Sequence, residues 1–77
     1  MQNEKMHGKV EILLEQYLRE HGISKNQASR SANITRTRFN AYCKNEVQRV
    51  DLDVMARLCD ALHCSIEDLL RYEPKEI

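Results

Sequence analysis

The chain has no tryptophan, a single phenylalanine, one proline and two glycines. With so few aromatic residues, its core must be built mostly from aliphatic side chains. No stretch of 18 apolar residues occurs, so no helix is expected to span a membrane. Nothing reads as a secretory signal, and the cysteines number three, at 43, 59 and 64, so a disulfide framework is not expected. These thiols are read as reduced, in a cytoplasmic protein. There is no nucleophile-and-base set, no paired-carboxylate signature and no phosphate-binding loop. Cys59, His63 and Cys64 lack the paired spacing of a zinc site, and no fourth ligand accompanies them. Seventy-seven residues make one domain. A domain of that size buries roughly 60% of the surface its unfolded chain exposes. Little room remains for an enclosed cavity, so no enzymatic activity, cofactor, metal or small-molecule substrate is expected.

Net charge is also lacking, since twelve basic residues balance twelve acidic ones. The distribution is uneven. Residues 25–50 carry Lys25, Arg30, Arg36, Arg38, Lys44 and Arg49 against Glu46 alone, a net of +5. Residues 51–77 carry three bases against seven acids, a net of −4, and residues 1–24 are nearly balanced. A polyanion responds to the local field rather than to the sum, so the middle third is the candidate surface for nucleic acid.

The apolar pattern is helical. Val10, Leu13, Leu14, Tyr17 and Leu18 recur at helical spacing and predict a first helix over about Lys9–Glu20, ended by His21-Gly22. Ser24 and Gln27 fit a capping box, opening a second helix to about Ala32. Asn33 suits a left-handed exit, and Thr35 caps a third helix to about Lys44, with Phe39 and Tyr42 facing inward. Cys43 is expected on that helix's flank. Asp51 caps a fourth helix whose apolar face is Leu52, Met55, Cys59 and Leu62, widened by Val54 and Leu58. Ser65 and Asp68 open a short fifth, carrying Ile66, Leu69 and Leu70, and Pro74 stops it. Nothing reads as strand. The expected organisation is a flexible segment 1–8, one all-α unit over 9–73 and a tail 74–77. Leu13, Tyr17, Phe39, Leu58, Leu62 and Leu69 are the expected core.

Residues 24–44 resemble the helix-turn-helix of the Cro/CI-type (XRE) DNA-binding family, and the similarity extends over about residues 9–72. The residues that carry it are Ser29, Asn33, Thr35, Phe39 and Tyr42, which fit the small residue, the turn, the cap and two core positions of that motif. The segments Leu58–Leu62 and Cys64–Leu70 look like the family's closing helix pair. Departures are Ala28-Ser29 where Leu-Ala is usual, and Asn33 and Asn45 where the family has Gly. The Ser29 hydroxyl then needs a partner, for which the Lys25 carbonyl is expected. The resemblance implies a five-helix, lambda-repressor-like DNA-binding domain.

It also implies a docking mode, with the third helix in the major groove of double-stranded DNA. Arg36, Asn40 and Ala41 then fall where the family contacts bases, with Thr37 as a further base contact and Arg38 in reach of either a base or a phosphate, while Lys25, Thr35, Lys44 and Arg49 fall near phosphates. Arginine can pair bidentately with guanine O6 and N7, and threonine can meet a thymine methyl. The function implied is sequence-specific transcriptional regulation, which in this family often involves a homodimer. The last helix and the tail beyond Arg71 would form the dimer surface. The alternative is an antitoxin-like protein-interaction module on the same fold, whose acidic C-terminal third would dock a basic protein partner.

Overall fold

The computed structural model describes residues 7–75. The described residues form β1 (Lys9–Ile12), α1 (Leu14–Glu20), α2 (Lys25–Ser31), α3 (Arg36–Cys43), α4 (Leu52–Leu62), a 3-10 turn (Ile66–Asp68) and β2 (Leu70–Glu73). The expected flexible segment 1–8 lies outside the described residues except for His7 and Gly8, as does the end of the tail, 76–77.

Among the described residues, three of the four α-helices, α2, α3 and α4, open on a capping side chain that the sequence supplies. The Ser24 hydroxyl accepts the Gln27 N–H at 3.0 Å, and the Thr35 hydroxyl accepts the Arg38 N–H at 3.3 Å. Asp51 Oδ1 accepts from Asp53 and Val54 at 2.8 and 3.4 Å. These bonds satisfy donors that the helix itself cannot. The helix ends are equally uniform. Gly22, Asn33, Asn45 and His63 all take a left-handed conformation, with φ between 54° and 64°. After each, the chain folds back to bond a carbonyl of the last turn: Ile23 to Leu18, Ile34 to Ser29, Glu46 to Ala41, and Cys64 to Cys59. Glycine and asparagine tolerate this conformation readily, whereas His63 adopts it without advertising it in sequence.

The expectation of five helices and no strand is corrected. Lys9–Ile12 pairs antiparallel with Leu70–Glu73, in the register Lys9↔Glu73 through Ile12↔Leu70. Both segments alternate in burial or charge, and Val10, Ile12 and Tyr72 favour extended backbone. The first helix therefore begins at Leu14, and the expected fifth helix is a single 3-10 turn before the chain straightens into β2. In that turn Asp68 Oδ2 accepts the Ser65 N–H at 3.0 Å, the bond the sequence anticipated.

The core joins all the elements. Phe39, Leu14, Leu58 and Leu69 are its largest fully buried side chains. Leu62 is buried with them, while Leu13 and Tyr17 are only half-buried. Val10 is 63% exposed, because it lies on the strand and not on a helix face. Leu52 is 82% exposed: as the first residue of α4 it points outward, and Val54, Met55, Leu58 and Leu62 form the inner face. Cys43 is buried rather than flanking, one turn beyond Phe39 on α3. The Ser29 hydroxyl donates to the Asn26 carbonyl at 3.1 Å and not to that of Lys25.

Candidate nucleic-acid interface

The outward face of α3 follows from what α3 buries. Phe39, Tyr42 and Cys43 are three and four residues apart and form one buried stripe. Thr37 and Ala41 lie on the side of α3 opposite that stripe, and Arg36, Asn40 and, just past the helix, Lys44 recur at intervals of four along the row beside them. Arg36, Thr37, Arg38 and Lys44 are exposed, and Asn40 and Ala41 half-buried. Arg36 Nε donates to Asn40 Oδ1 at 3.3 Å, so these two candidate base readers support each other.

The electrostatics divide the six basic residues of this region into two groups. Lys25 Nζ lies 3.6 Å from Glu15 Oε1, and Arg38 Nη2 lies 2.7 Å from Asp51 Oδ2. Among the described residues, no carboxylate stands within 4 Å of Arg30, Arg36, Lys44 or Arg49. The partial positive charge at the start of α3 adds to this field, and only the Arg38 N–H of that turn is taken by the Thr35 hydroxyl. The Arg38 guanidinium, followed by the capping N–H groups of Asp53 and Val54, holds the Asp51 carboxyl below the usual carboxylate range.

Two contributors escaped the sequence reading. Arg57 on α4 donates from Nη1 to the Asn33 carbonyl at 2.9 Å and pairs through Nε with Asp53 at 2.9 Å. It steadies the turn between α2 and α3. Only its spacing of four from Asp53 was visible in sequence. Asp51 was read as a cap, and its second role toward Arg38, thirteen residues away, had no local signal.

The other candidate groups lie elsewhere. Among the described residues, no three His, Cys, Asp or Glu side chains are arranged to hold a metal. Cys59 and Cys64 are half-buried free thiols at the end of α4. Burial first, and then the neighbouring Cys59, pushes the Cys64 thiol up to about 11. A depression of about 250 Å³ between α1 and the 3-10 turn is lined by Tyr17, Glu20, His21, Glu67 and Asp68 among others. It shares no residue with the exposed face of α3. Among the described residues, no helix is long and apolar enough to cross a membrane.

A helix-turn-helix with this anchoring defines a class, and comparison with known proteins agrees. The family model of the Cro/C1-type HTH DNA-binding domain matches residues 14–75, and the chain belongs to that family. Among solved structures, the transcriptional regulator VanUg, in its crystal form II, is similar with a TM-score of 0.70. The two chains are 20% identical, over 97% of this chain and 99% of that one, so the likeness is one of fold. No curated protein sequence matches this chain. The family match begins at Leu14, which leaves β1 outside it.

Proposed function

We propose that the protein is a sequence-specific DNA-binding transcriptional regulator, not an enzyme, and that it lays α3 in the major groove. One observation carries the reading. The helix is anchored by Phe39, Tyr42 and Cys43 and turns Arg36, Thr37, Asn40, Ala41 and Lys44 outward, in the most basic third of the chain. Arg36 is the principal base reader, aided by Thr37, Arg38, Asn40 and Ala41. Lys44 and Arg49 meet phosphates of one strand. Lys25 and the backbone at Thr35 meet those of the other. Residues 9–73 act as one domain. Family membership supports double-stranded DNA as the partner, and VanUg, a regulator of the same fold, supports the regulatory role.

A second reading has its own support. Val10 and Tyr72 face each other across the two-stranded sheet and are 63% and 65% exposed, away from α2 and α3 in sequence. That apolar pair favours a protein contact, either a second copy on a near-palindromic site or an unlike partner as in antitoxins. Selection from a random duplex library tests the first reading. The expected result is an enriched site whose symmetry reports the stoichiometry. No enrichment at low salt would leave the interaction module as the function.

A further inference from the structure

Asp51 is fixed from two sides and aimed from a third. Its N–H donates to the Tyr42 hydroxyl at 3.0 Å, and Tyr42 is buried on α3. Its Oδ1 is committed to the first turn of α4. That leaves Oδ2 directed at α3, where it takes Arg38 Nη2 at 2.7 Å. Both side chains of this pair are about half exposed, at 52% and 41%, so the pair is open to solvent beside the first turn of α3. The other outward cations of α3 and of the loop after it have no such partner among the described residues.

We infer that Asp51 is a specificity-determining residue, which holds Arg38 as a directed donor to a base edge and withholds it from the phosphates. The inference rests on α3 facing DNA. An unpaired arginine binds any phosphate within reach, and each such contact adds sequence-independent affinity and close to one counterion released. The pair of Arg38 and Asp51 carries no net charge. Moving Arg38 to a phosphate must either break a charge-assisted bond or bring a carboxylate against the polyanion. Meanwhile a guanidinium has five N–H donors in a planar fork. With one nitrogen on Asp51, the remaining donors can reach the acceptors of a guanine edge. The carboxylate also disfavours an acceptor-rich surface wherever Arg38 does not intervene, which penalises wrong sites.

The test is Asp51→Asn in the full chain. Asparagine caps helices about as well as aspartate, so α4 keeps its start while the charge is lost. Binding is followed by anisotropy on the selected site and on random duplex, at several salt concentrations. Asp51→Asn is expected to bind random duplex more tightly and to steepen the log K against log salt slope by about one. It should also lower the ratio of specific to random binding by about tenfold. In an Arg38→Ala background the same change should leave that ratio unmoved. Asp51→Ser, another capping residue, serves if the asparagine variant melts early in circular dichroism. If the wild type binds its site and neither variant changes slope or ratio, Asp51 is a cap alone and the inference fails. If the wild type binds no duplex, the reading of α3 itself fails.

Discussion

Asn45 and Ile12 exchange two hydrogen bonds across 33 positions of sequence. The Asn45 Oδ1 accepts the Ile12 N–H at 2.7 Å, and its Nδ2 donates to the Ile12 carbonyl at 2.9 Å. The amide thus satisfies the edge of β1 turned away from β2, as a third strand would. Since Asn45 also ends α3 with φ of 58°, one residue fixes both the end of that helix and its position against the sheet.

Asn45→Ala should therefore destabilise the fold by about 1–3 kcal/mol for the two stranded groups of Ile12. A further ~1 kcal/mol is expected for a Cβ residue without a local hydrogen bond in the left-handed region. Asn45→Gly loses the bonds but not the backbone fit, so it should lie between wild type and Ala. Urea melts of the three proteins check the order. A glycine variant as stable as wild type would mean that the amide contributes nothing.

The buried stripe of α3 and the start of α4 should respond oppositely. Phe39 is 1% exposed, and Phe39→Ala should cost about 3–5 kcal/mol in denaturant melts. Leu52 is 82% exposed, and Leu52→Ala should stay within about 0.5 kcal/mol of wild type. A loss below about 1 kcal/mol for Phe39→Ala would mean that α3 does not pack through that face.

Cys64 should give the fold an alkaline weakness. Its thiol is pushed from 9.0 to about 11 in the folded chain. The folded state therefore keeps a proton that the unfolded chain releases, and stability falls as pH rises through that window. Below it the contribution is complete. Cys64→Ala should lose less stability than wild type between about pH 8 and about pH 10.5, measured by urea melts at each pH. Parallel losses in the two proteins would contradict the assignment. Burial likewise raises the Cys43 thiol, so native alkylation of both should be slow.

The sequence revealed the helix-turn-helix because its signals are local. Ser24, Thr35 and Asp51 each bond a backbone N–H two or three residues away, and Asn33 and Asn45 reverse the chain where they stand. Phe39 and Tyr42 declare their inward face by spacing alone. The two-stranded sheet stayed hidden because its partners are the two ends of the domain: Glu11 and Arg71, paired at 2.8 Å, are 60 residues apart. Four alternating residues make too short a strand to outweigh a helical pattern that Val10 and Leu13 happened to continue. The same distance in sequence concealed the link between Arg38 and Asp51 and the hold of Arg57 on Asn33. At the candidate interface, residue types and the helix face were legible, whereas the pairing that distinguishes Arg38 from Arg36 was not.

The most direct test of whether α3 faces DNA compares Arg36→Ala with Lys44→Ala. Both side chains are exposed on one row of the helix, with no carboxylate partner among the described residues. The measurement is anisotropy titration of each variant on the selected site and its single-base variants, over a series of salt concentrations. Arg36→Ala should lose preference at one base pair per half-site, worth about 1–3 kcal/mol of discrimination. Lys44→Ala should weaken binding about equally on every sequence and flatten the salt slope by about one. If Arg36→Ala keeps the wild-type preferences while Lys44→Ala alters them, α3 does not enter the groove as described.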